Sequence, residues 1–300
     1  MRHSVFSAVL LVGVATVSIG AEARDTPEKP VFSFALVADT HLGCQRGAMA
    51  RVMERAIDEI NASPAEFTLF VGDLVNAGTK PENETFYPQW LEIVKRLKNP
   101  FHAVPGNHDP PDIFTKHIQP KTDTTFDHKG YRFICFNDTR TDSHLGFVTP
   151  EQLAWIRGLV EDAAEKGLRV ILVAHVIYHK NLHPDVGWWI RDPNGGKEFG
   201  ALLREKGGTV VAFFAAHFHC GMRGWDDTAG IHEVVIPALA YNSNRRLEKA
   251  PGWALDDFRP GYAIADVYAD ALVLKYKPLG GPVKASKRLE LKKPVPSVSQ

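Results

Sequence analysis

An α/β sandwich, two mixed β-sheets with helices on their outer faces, is the fold this 300-residue sequence predicts. Three observations point there. Short apolar runs of strand length recur along the whole chain, at residues 31–38, 67–71, 101–104, 169–174 and 210–215 among others. Stretches of helical periodicity separate the early runs, which is the βαβ alternation of a parallel sheet. The runs fall into an early set and a late set with no linker composition between them, so they belong to one domain of about 30–279.

In chain order, residues 31–38 read as a buried strand, followed directly by Asp39-Thr40-His41. From 47 to 62, Met49, Val52, Met53, Ala56, Ile57 and Ile60 recur at helical spacing until Ser63-Pro64 ends the run. Residues 67–71 are a second strand, closed by Gly72-Asp73. Residues 83–97 read as a helix with Trp90, Ile93, Val94 and Leu97 inward. The third strand, 101–104, meets Pro105-Gly106, which turns the chain and presents Asn107, His108 and Asp109. Loops at the carboxyl edge of such a sheet are where a rigid scaffold fixes reactive groups.

The second set begins with a hairpin, 124–127 and 131–137, turning at Lys129-Gly130. Thr149 caps a helix that opens Pro150-Glu151-Gln152, runs to about 166 and stops at Gly167. Residues 169–174 form a strand ending on His175. A helix over 197–206 precedes the strand 210–215, which runs into Ala216-His217-Phe218-His219. Alternation along that strand predicts that His217 and His219 share a face. Strands at 231–236, 262–267 and 272–276 complete the set. Beyond Pro278 the chain is rich in Lys and Pro without apolar periodicity, which predicts a mostly unpacked tail over 280–300.

Composition narrows the function classes. Lys+Arg and Asp+Glu both number 35, so no net field attracts polyanions and a dedicated nucleic-acid binder is disfavoured. A basic start at Arg2-His3, an apolar stretch over 5–19 and the small-x-small Ala21-Glu22-Ala23 form a cleavable leader, with cleavage after Ala23 and a periplasmic or extracellular product. The stretch is shorter than the ~20 residues that span a bilayer, and no later stretch is long enough either. Three cysteines build no disulfide framework. Cys135 sits in a strand-like run as a small core residue, while Cys44 and Cys220, each within three residues of a candidate ligand histidine, are the candidate pair for a disulfide after export. The sequence carries no repeat and no signal of oligomeric state.

The chemistry follows from the residue types at the strand ends. Asp39, His41, Asp73, Asn107, His175, His217 and His219 offer carboxylate, amide and imidazole groups without clustered thiolates, a donor set for iron, manganese or zinc. Seven donors exceed one tetrahedral ion and suit two ions sharing a carboxylate, roughly 3.5–4 Å apart, which activate water for in-line displacement at a phosphorus or acyl centre. Each element also has a plain structural reading. An aspartate after a strand is commonly a cap or turn residue, and a lone strand-end histidine is commonly a hydrogen-bonded structural residue. It is the set that carries the metal reading. The remaining histidines (His3, His102, His117, His128, His144, His179, His183, His232) take the structural reading.

This pattern resembles that of the calcineurin-like metallophosphoesterases, Asp-x-His, Gly-Asp, Gly-Asn-His-Asp/Glu, His and Gly-His-x-His, over residues 39–219. The resemblance implies a four-layer αββα sandwich. It implies one ion on Asp39, His41 and His219, a second on Asn107, His175 and His217, and Asp73 bridging them. It further implies a hydroxide between the ions as nucleophile, and His108 as a catalytic group facing the leaving-group or a phosphoryl oxygen. Asp109 is then expected behind His108, fixing its tautomer and raising its basicity. One position departs: the usual glycine before His-x-His is Ala216, which matters most if that glycine serves a positive φ.

Length and spacing look more like the family's bacterial phosphodiesterases, acting on small phosphoesters such as cyclic nucleotides or glycerophosphodiesters, than its larger protein phosphatases. A phosphomonoesterase or nucleotide pyrophosphatase on the same site, and a silent binding protein, are the alternatives. Residues 178–192, with Trp188 and Trp189, form either a lip over the substrate or surface packing. Tyr241, Asn242, Asn244, Arg245 and Arg246 are either a second phosphate contact or a solvated loop.

Overall fold

The structure, a computed structural model, describes residues 29–44, 48–181, 187–243 and 252–292. The leader predicted over 1–23 lies outside the described residues, as do Asn244, Arg245 and Arg246. No helix among the described residues is long and apolar enough to cross a membrane.

The first sheet opens with three strands, β1 (Phe32–Val37), β2 (Thr68–Val71) and β3 (Phe101–Val104). They run parallel in the order β1-β2-β3, with Ala35 opposite Thr68 and Thr68 opposite Phe101. Helix α1 (Met49–Asn61) connects β1 to β2, and α2 (Phe86–Val94) connects β2 to β3. The short α3 (Pro111–His117) follows β3. Their apolar residues, Met53, Ile57, Ile60, Trp90 and Phe114 among them, pack on the outer face of this sheet.

The second sheet begins with β4 (Thr124–His128) and β5 (Tyr131–Cys135), a hairpin whose turn residues Lys129 and Gly130 both have positive φ. Helix α4 (Pro150–Glu165) starts in the predicted capping box, with Thr149 and Gln152 bonding each other's backbone N–H. It leads to β6 (Arg169–Val173), and α5 (Gly196–Lys206) leads to β7 (Val210–Ala215). The strands β5, β6 and β7 are parallel. Next come β8 (Met222–Thr228), β9 (Ile231–Val235) and β10 (Trp253–Leu255), giving the order β10-β8-β9-β7-β6-β5-β4.

The chain then returns to the first sheet as β11 (Gly261–Val267), β12 (Ala271–Pro278) and β13 (Ala285–Glu290), in the order β13-β12-β11-β1-β2-β3. Both sheets are mixed. Their inner faces meet through Phe34 and Phe67 of one sheet and Phe133 and Phe214 of the other, with Phe34 and Phe67 stacked at 5.1 Å and Phe34 edge-on to Phe133 at 5.4 Å. Helices α4 and α5 cover the outer face of the second sheet. The result is the expected αββα sandwich.

Two departures from the sequence reading have physical causes. The tail predicted as mostly unpacked from residue 280 instead forms β13, antiparallel to β12 from Ala271–Glu290 to Tyr276–Ala285. As an edge strand it buries only Leu289 and exposes Arg288 and Glu290, so its apolar signal is slight. The other is β8, whose Gly224, Asp226 and Asp227 break an alternating pattern even though its first four residues are buried.

Candidate metal centre

Every site-bearing segment leaves the carboxyl end of a parallel strand. Asp39 and His41 follow β1, Asp73 follows β2, Asn107 follows β3, His175 follows β6, and His217 and His219 follow β7. The two sheets are joined at this edge by an Ala38–Ala238 bridge, with Leu239 N–H donating to Ala38 O (2.9 Å) and Ala240 N–H to Asp39 O (3.1 Å).

The backbone here is unusual. Asp39, His41, Asp73, His217 and His219 are five of the eight non-glycine residues with positive φ among the described residues, at 51°, 41°, 52°, 74° and 49°. Such conformations cost energy for residues bearing a Cβ and collect at functional sites. His217 and His219 therefore converge through two left-handed residues beyond the end of β7, and not by strand alternation. Ala216 keeps a negative φ and is buried in the central core, so positive φ is not what the position demands. The loops also need bare backbone: a Cβ on Gly106 would lie 2.2 Å from Asp73 Oδ1, and one on Gly72 (φ 82°) 2.3 Å from His175 Nδ1.

The side chains form two groups that share one carboxylate. Asp39, His41, Asp73 and His219 bring ligand atoms within 4.8 Å of one another, as do Asp73, His175 and His217. Asp73 Oδ1 accepts the His108 N–H (2.9 Å), while Oδ2 lies 3.5 Å from His41 Nε2 and 3.4 Å from His175 Nε2, facing both groups. Two imidazoles are oriented from behind. His175 Nδ1 pairs with Val71 O (2.8 Å) and His219 Nδ1 with Tyr241 O (2.8 Å), so each ring turns Nε2 inward. His41 Nε2 and His219 Nε2 approach to 3.2 Å, and His175 Nε2 and His217 Nδ1 to 3.2 Å.

Both Asp39 oxygens, His41 Nδ1, Asn107 Oδ1 and His217 Nε2 are buried without a hydrogen-bond partner. Buried polar atoms in folded proteins are almost always satisfied. Lone pairs crowded together without hydrogen-bond partners suit cations, and this donor set fits two of them.

Charge in the cluster follows the same division. Burial acts to raise Asp73, but His175, His108 and His41 outweigh it and hold the carboxyl well below its usual range. Burial lowers His41 to about 4, and burial together with the His175 charge pushes His217 well down, leaving both rings neutral and able to donate a lone pair. Burial also opposes charging of His175 and His219, yet Asp73 raises His175 to about 10 and Asp39 raises His219. A cation binding at those rings must displace a proton.

The expected partnership of His108 and Asp109 is not formed. Asp109 accepts hydrogen bonds from the backbone N–H of Gly106 (2.9 Å), Leu74 (3.0 Å) and Val75 (3.2 Å), and from the Tyr87 hydroxyl (2.9 Å). Its oxygens tie the Asp73 loop to the Asn107 loop and have nothing left for His108. What fixes the His108 tautomer is Ala77, whose N–H donates to Nδ1 at 2.9 Å. An accepting Nδ1 places the ring proton on Nε2. His108 lies edge-on to His41, with ring centroids 4.8 Å apart.

Other residues of the site were missed from sequence. Asp138, with both oxygens buried, accepts from the N–H groups of His175 (3.0 Å) and Val176 (3.0 Å) and so fixes the loop of one candidate ligand. His144, given the structural reading, stacks on Trp188 at 4.4 Å and lies 5.4 Å from His217. Trp188 is itself 4.5 Å from the His217 ring and packs against the core of the second sheet, while residues 182–186 of the 178–192 stretch lie outside the described residues. No sequence pattern marks a residue brought in by an irregular loop. A cavity of ≈ 360 Å³ opens here, between His108 and Asn107 on one side and Thr141, Asp142, Ser143 and His144 on the other. The other described histidines bond as structural residues do, His117 to Glu84 (2.8 Å), His128 to Glu66 (2.9 Å), His179 to Asp227 (3.1 Å) and His232 to Glu290 O (2.8 Å), while His102 stacks on Phe126. Cys44 and Cys220 form no disulfide.

Residues 32–221 match the family described as calcineurin-like phosphoesterase. No curated protein sequence matches the chain. Among solved structures it is similar to a dimetal phosphatase from Danio rerio, at 15% identity and TM-score 0.67, covering 88% of this chain and 100% of that one. It is similar to purple acid phosphatase PPD1 from yellow lupin (Lupinus luteus) seeds, at 14% identity and TM-score 0.65, covering 88% of this chain and 54% of that one. GAP50, the anchor in the inner membrane complex of Plasmodium, is similar at 16% identity and TM-score 0.60, covering 88% and 90%. At such identities the similarity is one of fold.

Proposed function

The chain belongs to the calcineurin-like phosphoesterase family, and from that premise we propose that it is an exported, metal-dependent phosphodiesterase acting on a small phosphoester. The observation that carries the reading is the set of buried, partnerless donors on Asp39, His41, Asn107 and His217 around Asp73. A fold kept only for binding would have no cause to retain that unsatisfied set. Asp39, His41 and His219 would hold one cation, Asn107, His175 and His217 the other, with Asp73 shared. Their nitrogen and oxygen donors suit iron, manganese or zinc. Bound there, two such ions supply an activated water and offset the charge of a phosphoryl group.

The chain's own residues have separate tasks. Asp73 Oδ1 grips the His108 N–H and so sets that ring beside the cluster. His108 Nε2–H, with Nδ1 held by Ala77, donates a hydrogen bond to a phosphoryl or leaving-group oxygen. The preference for a diester is supported by the cavity walls. Among the described residues no Lys or Arg lines the cavity. A diester carries one negative charge, whereas a monoester carries up to two and asks for more cationic partners.

Export is supported by the leader over 1–23 and predicts a mature chain beginning at Arg24, readable by N-terminal sequencing. The function is tested by comparing bis-p-nitrophenyl phosphate with p-nitrophenyl phosphate after loading with each metal. The expected result is a kcat/KM for the diester at least about tenfold above that for the monoester, a margin of about 1.4 kcal/mol. The reverse order assigns a monoesterase. Two bound metals with no hydrolysis of any phosphoester return the chain to a binding role.

A further inference from the structure

We propose that His144 is a second phosphate-contacting side chain of this site, placed beside the second ligand group as His108 is beside the first, and held in place by Trp188. The proposal rests on the reading of the site as a phosphoester site and adds a residue to it. His108 abuts His41 of the first ligand group, at 4.8 Å between ring centroids, and His144 abuts His217 of the second, at 5.4 Å. Both rings line the same cavity beside Asn107. The ligand atoms of His144 fall in neither group of converging ligand atoms.

The ring is placed with care for a residue on an irregular loop. It stacks on Trp188 at 4.4 Å with the planes 14° apart, which fixes the ring and leaves both nitrogens at its rim. Among the described residues neither nitrogen has a hydrogen-bond partner, and the exposed side chain lines the cavity. The loop is anchored on either side of it. Phe147 N–H donates to Asp138 O (2.8 Å), Leu145 N–H to Ser143 Oγ (3.0 Å), and Gly146 N–H to Trp189 O (3.3 Å). Gly146 is needed for that last approach, since a Cβ there would lie 2.4 Å from Ile190 Cγ1. Asp138, where the loop begins, also holds the N–H of His175. The loop that carries His144 is thus fixed to the Trp188–Trp189 segment on one side and to the cluster on the other. A fixed imidazole with free rim nitrogens, in a cavity without Lys or Arg, is suited to donate to a phosphoryl oxygen.

The test uses full-length metal-loaded protein and inorganic phosphate as the probe, with affinity read by calorimetry and metal content by elemental analysis. His144→Ala is expected to weaken phosphate roughly 10–100-fold, the scale of one hydrogen bond to a charged group, with two metals still bound. His144→Gln, which keeps a donor, recovers part of the loss, and Trp188→Ala, which frees the ring, falls between wild type and His144→Ala. Equal phosphate affinity in wild type and His144→Ala overturns the proposal. So does loss of metal from His144→Ala, or a loaded wild type that binds no phosphate. Turnover of bis-p-nitrophenyl phosphate separates this from the functional reading. A wild type that hydrolyses no phosphoester, yet loses phosphate with His144→Ala, sinks that reading and leaves His144 as proposed. A hydrolysing wild type with an indifferent His144→Ala does the opposite.

Discussion

Asp39 and Asp109 are the same residue type, both buried to within 1% exposure, and both lie just beyond parallel strands of the first sheet. Their bonding is opposite. Neither Asp39 oxygen accepts a hydrogen bond, Oδ1 having only the His219 ring at 3.3 Å, while Asp109 accepts four hydrogen bonds. Leaving a buried carboxylate without donors is costly unless a positive charge is near, whereas satisfying it with backbone N–H groups makes it a brace. The cavity floor and the layer behind it are thus distinguished by what their polar atoms lack. Where donors are missing, the site expects a cation. Where they are complete, it expects nothing.

Asp73 belongs to both layers, since Oδ1 is satisfied by His108 N–H and Oδ2 faces both ligand groups. The largest expected effect therefore falls on it. Asp73→Ala is expected to bind neither metal and to hydrolyse phosphoesters no faster than buffer, with the fold intact by circular dichroism. An Asp73→Ala protein that keeps two metals by elemental analysis breaks the division between the layers.

His108 is divided in the same way, with Nδ1 satisfied by Ala77 and Nε2 turned to the cavity. Donation from a ring held in the neutral tautomer stabilises charge on the phosphoryl group whichever group departs. His108→Ala is expected to lower kcat roughly 10²–10³-fold, by about the same factor for nitrophenolate and alkoxide leaving groups, with both metals bound. A loss confined to alkoxide substrates indicates proton donation instead, and then the Ala77 bond gives way during turnover.

Legibility in the sequence follows the same line. All seven candidate ligands and the parallel strands before them were readable, because an apolar run ending in a charged or imidazole side chain is a local pattern. The αββα layering was readable for the same reason. What makes the residues converge was not. His217 and His219 meet through left-handed backbone, which no alternation rule anticipates. Asp109 looked like a partner for its neighbour His108 and proved to bond across to Leu74 and Val75, a choice made by packing. His144 and Asp138 lie on an irregular loop where neither period applies, and β13 hides its one buried residue, Leu289, in a polar stretch.

The smallest effect is expected within the satisfied layer. Tyr87→Phe removes one of the four donors to Asp109 and leaves the three backbone bonds, so metal content and kcat/KM should stay at wild-type values. The cost should appear in stability alone, at about 1 kcal/mol or somewhat more. Its pH dependence is a sharper check. Burial first, and the Asp73 carboxylate next, push Asp109 up to about 6 against its backbone donors. A carboxyl raised by folding contributes stability that is full below its unfolded pKa and is lost as pH rises through about 6. Above that pH the lost hydroxyl served a charged acceptor, and below it a neutral one, and bonds to charged groups are the stronger. Chemical denaturation at about pH 5 and about pH 7.5 should therefore show a larger penalty for Tyr87→Phe at the higher pH. A uniform penalty would mean that Asp109 stays ionised throughout. A fall in metal content would mean that the brace and the cluster are one layer after all.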